Sequence, residues 1–247
     1  MATRLLFFSL IFLNFLQAVE LKSIKEKYRD KTPVFWGYEH QGIISKIKTN
    51  KPIIFLTLDA CSGEYDKRII DLLQKEKIPA ILFVNTRWIE NHQLALQEIA
   101  KNPLFSIQNH GNSHKPLSIE GKSAYQIEGT KNIQEVYEEI ILSDELITHL
   151  TGKKPTLFRS GTAYYDDVAI AIAKDLGYKI IGFDVIGDGG ATFDKEQILL
   201  QAQKVTNGSI LIYHFNHPQK DTYEGLKSVI KILKEKGFLF KSLIDYL

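Results

Sequence analysis

Pro52-Ile53-Ile54-Phe55-Leu56-Thr57-Leu58 and Ala80-Ile81-Leu82-Phe83-Val84 are uninterrupted apolar runs. Between them, Lys67 to Lys77 carries Ile69, Ile70, Leu72 and Leu73 at helical spacing. The runs read as strands buried on both faces, and the link as an amphipathic helix. Strand, helix, strand is the repeating unit of a parallel sheet covered by helices.

The alternation continues outward. Helices are expected over Asn91 to Lys101, Asn132 to Leu150, Asp167 to Leu176, Lys195 to Lys204 and Thr222 to Glu235. Gly152, Gly177 and Gly237 stop three of them. Strands are expected at Leu104 to Ile107, Thr156 to Phe158, Lys179 to Phe183, Ser209 to Tyr213 and Phe238 to Leu243. About seven strands in roughly 200 residues predict an α/β fold, a distorted (β/α) barrel of parallel strands, with an open doubly wound sheet as the alternative. No G-x-G-x-x-G turn and no phosphate loop follows the first strand, which disfavours nucleotide binding.

Composition agrees with a globular chain. Of 247 residues, 44% are hydrophobic and 24% charged, and the formal net charge is +2. Such near-balance gives no electrostatic reason to expect nucleic acid or anionic lipid as a partner. Cys61 is the single cysteine, so no internal disulfide forms. Arg4 followed by the apolar stretch from Leu5 to Leu13 has the outline of a secretory signal peptide, with cleavage expected after Ala18. The organisation expected is therefore a signal peptide over 1–18, a polar lead-in over 19–50 and one domain over 51–247. The mature chain is expected in the periplasm or outside the cell, with no membrane span.

In parallel α/β folds the active site gathers at the C-terminal strand ends. Asp59 follows the first run and Asn85 the second. Asn109 and His110 follow the third, with His114 four positions on. Arg159 follows the fourth, Asp184 and Asp188 the fifth, and His214 and His217 the sixth. The spacing of His110 and His114 lets two imidazoles converge on one metal ion. Asp59 is suited to act as general base toward water and His214 as general acid, oriented by Asp188 or Asp184. Arg159 is suited to hold a carboxylate ionised. Each also has a plainer reading, as a cap, a structural ion pair or a core histidine. Together, and without a G-x-S-x-G elbow, they suit hydrolysis of a carbonyl group.

These residues resemble the polysaccharide deacetylases of the NodB-homology type, carbohydrate esterase family 4. Thr57-Leu58-Asp59 stands where that family has Thr-Phe-Asp-Asp. Asn109-His110-Gly111-Asn112-Ser113-His114 resembles its His-(Ser/Thr)-x-x-His motif, Phe158-Arg159 the start of its third, and Ile210-Leu211-Ile212-Tyr213-His214 its last. The resemblance implies metal-dependent removal of acetyl groups from amino sugars. Asp59 is implied as the base, His214 as the acid, and Arg159 as the partner of the base. His110 and His114 are implied as metal ligands, with zinc the expected ion, and Leu211 as lining for the acetyl methyl. The substrate implied is an acetylated polysaccharide such as peptidoglycan, and Tyr164, Tyr165 and Trp88 are candidates to stack on its sugars.

The chain departs from the pattern at Ala60, where the family has its third metal ligand. Arg159-Ser160-Gly161 replaces Arg-x-Pro, and Phe215 replaces an aspartate. Three explanations of Ala60 compete. Asp66 or Glu64 folds back as ligand, with Gly63 permitting the turn; Asp59 itself ligates the ion; or the metal is lost. In the last case the chain is a metal-independent hydrolase or a saccharide-binding protein on a deacetylase scaffold. A Cys61-dependent hydrolase is the least favoured reading, because a neighbouring carboxylate opposes a thiolate.

Overall fold

The computed structural model describes residues 18–247. The expected signal peptide falls, apart from Ala18, outside the described residues. Among the described residues, no helix is long and apolar enough to cross a membrane.

The expected lead-in is more ordered than its polar composition suggests. Helix α1 covers residues 18–28, followed by β1 (Trp36–Gly37) and β2 (Ile43–Ile44). The chain then alternates through β3 (Ile53–Ala60), α2 (Lys67–Lys75), β4 (Ala80–Val84), α3 (Thr86–Ile99), β5 (Phe105–Asn109), α4 (Ile133–Thr151) and β6 (Leu157–Phe158). It continues with β7 (Tyr165–Asp166), α5 (Asp167–Asp175), β8 (Lys179–Ile181), β9 (Val185–Ile186), α6 (Lys195–Gln201), β10 (Ile210–His214), α7 (Thr222–Glu235) and β11 (Leu239–Phe240). The segment expected as the closing strand is thus a short strand and then a 3-10 turn, Leu243–Tyr246.

Among the described residues, nine strands form one sheet in the order β2-β8-β6-β5-β4-β3-β10-β9, with β11 added beside β3. Every pairing in it is parallel. The sheet curls far enough that the single segment from β8 to β9 pairs with β6 at one edge and with β10 at the other. This is the distorted (β/α) barrel. β1 stands apart and pairs antiparallel with β7.

Side chains alternate across each strand, and here the alternation sorts two cores. Ile54, Leu56, Leu58 and Ala60 of β3 face the helices, with Leu211 and Tyr213 of β10. Ile53 and Phe55 face inward with Ile81, Phe83 and Ile210. The inward series of β3 continues through Thr57 and Asp59 toward Cys61; that of β10 continues through Ile212 to His214. Both series end on the C-terminal rim.

Candidate active site

Asp59 and His214 are register partners on the adjacent strands β3 and β10, so their side chains stand side by side at the rim. Arg159 rises from the end of β6 and is fully buried. Its Nη1 donates to Asp59 Oδ1 at 2.7 Å and to Thr57 Oγ1 at 2.9 Å. Nε and Nη2 donate to the carbonyls of Ile181 and Gly182, and Phe83 flanks the guanidinium at 4.4 Å. The arginine is therefore fixed on every side. Burial alone would raise the Asp59 pKa. The charges of Arg159, His110 and His214 outweigh it and hold the carboxyl below its ordinary range.

His214 is oriented from the other side. Asp188 Oδ1 pairs with His214 Nδ1 at 2.9 Å, and Oδ2 accepts from the His214 backbone N–H and from Thr222 Oγ1. The proton on Nδ1 is thereby fixed, leaving Nε2 as the free nitrogen. Burial opposes protonation of His214, but the charge and hydrogen bond of Asp188 win, and its pKa is raised. Of the two aspartates expected for this task, Asp188 performs it. Asp184 instead accepts from Ser209 Oγ and the Ile210 N–H.

The loop after β5 presents the two further histidines. Asn109 Oδ1 accepts from the Gly111 N–H, and Glu139 of α4 accepts from the backbone N–H groups of Ser113 and Lys115. Wrapped around that buried carboxylate, the loop turns through left-handed conformations at Gly111 and His114, with φ of 82° and 63°. Gly161 makes room for it: a Cβ there would lie 2.5 Å from the Cα and Cγ of His114. In this loop conformation, a residue with a Cβ does not fit at 161 beside His114.

His110 Nδ1 pairs with the Arg159 carbonyl at 2.9 Å, which leaves Nε2 free to accept. Cys61 Sγ lies 3.4 Å from that Nε2, and Asp59 Oδ2 lies 3.6 Å from it. His114 Nε2 is buried with no hydrogen-bond partner among the described residues. One donor atom each from Cys61, His110 and His114 falls within 4.8 Å of the other two. Buried polar atoms are normally satisfied, and the orphaned His114 nitrogen beside two other ligand-type atoms fits a bound cation. Burial pushes both imidazoles down, His114 to about 3 with help from His110. Neutral imidazole is the ligating form.

A cleft of about 480 Å³ opens over this cluster, lined by Asp59, Cys61, His114, Ile212, His214 and His217, among others. Tyr125 and Ile127 also line it. Tyr125 stands edge-on to Tyr164, which touches Trp36 and Tyr38.

Several expected residues stand elsewhere. Leu211 is buried in the helix-side core, and its neighbour Ile212 faces the cleft. Asp66 caps α2 and forms a paired contact with Arg68, at 2.8 Å to Nε and 2.7 Å to Nη2. It is absent from the donor cluster. Glu64 offers its backbone carbonyl to Trp88 Nε1, and Trp88 and Tyr165 are core residues. Ala60 packs in the helix-side core. Cys61, two positions from Asp59 and on the same face, is the residue the motif comparison passes over. Strand alternation is the signal that finds it.

Comparison with known proteins gives the family and the fold. The chain is 27% identical over 202 residues to the uncharacterized protein YlxY of Bacillus subtilis, matching 79% of this chain and 57% of YlxY. It is 23% identical over 241 residues to the peptidoglycan-N-acetylmuramic acid deacetylase PdaA of Bacillus subtilis, covering 86% of this chain and 85% of PdaA. Among solved structures, wild-type BA3943, a CE4 family pseudoenzyme from Bacillus anthracis, superposes with a TM-score of 0.71 at 22% identity, covering 88% of this chain and 70% of that one. Residues 46–181 match the profile of the Polysaccharide deacetylase family. With that match spanning more than half of the sequence, the chain belongs to the polysaccharide deacetylase family.

Proposed function

We propose that this chain is a metal-dependent hydrolase that removes acetyl groups from the N-acetylated amino sugars of a polysaccharide, with peptidoglycan as the substrate class. Family membership and the similarity to PdaA support the substrate. The observation that carries the reading is the pairing, on neighbouring strands, of an aspartate fixed by Arg159 and a histidine fixed by Asp188. Residues 1–18 are read as an export signal, 19–50 as the lead-in and 51–247 as the deacetylase domain, which brings the enzyme to the cell wall.

The residues that would hold the ion are His110 and His114, with a third donor from the end of β3. A divalent ion there supplies Lewis-acid polarisation of the acetyl carbonyl and a lowered pKa for water. Asp59 stays ionised beside Arg159 and accepts the proton as water adds to the carbonyl carbon. Arg159, held by two carbonyls and Thr57, keeps that carboxylate in place. His214, protonated on both nitrogens in the shadow of Asp188, gives its Nε2 proton to the amine as the C–N bond breaks. Acetate and a free amino sugar leave. Ile212 lines the cleft as the apolar contact for the acetyl methyl. Tyr125, Tyr164 and Tyr38 give the rim aromatic faces for sugar rings.

Ala60 favours a second reading, a saccharide-binding protein without turnover. The two readings separate when the purified, metal-supplied protein is mixed with N-acetylated peptidoglycan fragments and chito-oligosaccharides. Acetate released in step with new amines supports the hydrolase. Retention on the polymer with no acetate under any divalent ion supports the binder.

A further inference from the structure

We propose that Cys61, as a thiolate, is the third protein ligand of the metal site, making it a Cys-His-His site that selects thiophilic ions of the zinc class over magnesium or manganese. This rests on the reading of the site as a metal site and adds the identity of its third donor.

The strand pleat carries the argument. Ala60 points among the helices and is fully buried there, so the face shared with Thr57 and Asp59 next offers position 61. Cys61 Sγ is 3.4 Å from His110 Nε2. Zinc bond lengths in a tetrahedron put a nitrogen and a sulfur about 3.6 Å apart, so that separation suits two ligands of one ion. The orphaned, buried His114 Nε2 completes the set. His110 is already oriented for ligation by the Arg159 carbonyl on its Nδ1, the usual arrangement around a metal-bound imidazole.

The competing carboxylates are engaged. Asp66 caps α2 and is held by Arg68. Asp59 has Oδ1 committed to Arg159, and its Oδ2, 3.6 Å from His110 Nε2, lies outside the three-donor cluster and is the oxygen left for proton transfer. A thiolate brings the same single negative charge as a carboxylate but is a softer donor, which shifts preference toward zinc and cobalt. Burial, and then the charge of Asp59, keep the free thiol protonated; a bound divalent ion reverses that balance, and coordination releases the thiol proton to solvent.

The experiment uses the full chain stripped of metal and titrated with zinc, cobalt(II) and manganese(II), in wild type, Cys61→Ser and Cys61→Ala. Thermal unfolding in chelator checks that each variant folds. The wild type should bind one equivalent of zinc and, with cobalt, show a sulfur-to-metal charge-transfer band. Both variants should lose the band and bind zinc more weakly by over about 100-fold, beyond the range of second-sphere changes. Zinc should also protect the wild-type thiol from alkylation. Cobalt bound without a sulfur band, or equal zinc affinity in Cys61→Ala, overturns the thiolate ligand and leaves a metal site with another third donor. A wild type that binds no ion overturns both the ligand and the metal reading.

Discussion

Arg159 Nη1 and Asp59 Oδ1 lie 2.7 Å apart, with the guanidinium fully buried and the carboxylate nearly so. A buried ion pair of this kind is costly to break, because removing one partner strands the other charge. Arg159→Met is expected to destabilise the fold by about 3–5 kcal/mol and to abolish turnover. Chemical denaturation and acetate release check the two effects. Because Asp59 is held below its ordinary pKa, the pair stabilises above the unfolded-state pKa. That stability is lost as pH falls through the folded value, and Arg159→Met, which leaves burial to raise the Asp59 pKa, should weaken or reverse the acid-side dependence.

The Asp188–His214 pair governs the opposite limb. In the proposed mechanism His214 acts only when protonated, and Asp188 raises its pKa against the effect of burial. Activity should therefore fall as pH rises through that raised value. Asp188→Asn keeps one hydrogen-bond acceptor but removes the charge. It should move the alkaline limb of kcat to lower pH by about one unit or more, read from a pH–rate profile, with a smaller effect on KM.

Glu139 organises the histidine loop without touching the cleft. Its carboxylate accepts from Ser113 and Lys115, while burial raises its pKa to about 7. Between the ordinary value near 4.5 and about 7, the folded state binds more protons than the unfolded state, so stability declines as pH rises through that window. Glu139→Gln should flatten this slope in denaturant unfolding. Glu139→Ala leaves part-buried N–H groups without their acceptor and should cost about 1–3 kcal/mol, with zinc affinity falling roughly 10- to 100-fold.

Gly161→Ala tests the packing behind His114. The new Cβ would sit 2.5 Å from His114 backbone and ring atoms, so one of the two must move. We expect a loss of about 1–3 kcal/mol together with weakened metal binding, measured by zinc titration. Gly177→Ala, outside the cleft, where a Cβ meets nothing within 4 Å but φ is 89°, serves as a control that carries backbone strain alone.

The fold was legible because its strands are short apolar runs between amphipathic helices, and six of the expected strand ends converge on one rim. What escaped the sequence has physical reasons. In β10, buried on both faces, Leu211 and Ile212 are equally apolar, so alternation leaves no trace of which one faces the cleft. β1, β2, β7 and β9 have two residues each, too few for a period to register. Asp66 has the composition of a ligand, but it directly precedes the basic start of α2, and the N-cap preference is the signal that explains it. Cys61 was obscured by the motif, which directs attention to position 60; the period-2 rule applied from Asp59 leads to position 61 instead.

The assignment of Asp59 as base and His214 as acid is tested by comparing wild type, Asp59→Asn and His214→Ala, loaded with zinc, for acetate and new primary amine formed from N-acetylated peptidoglycan. Equal, one-to-one appearance of both products in the wild type is expected, with losses of at least about 100-fold in each variant. Undiminished release in Asp59→Asn, or no release from a zinc-loaded wild type that still binds the polymer, would contradict it.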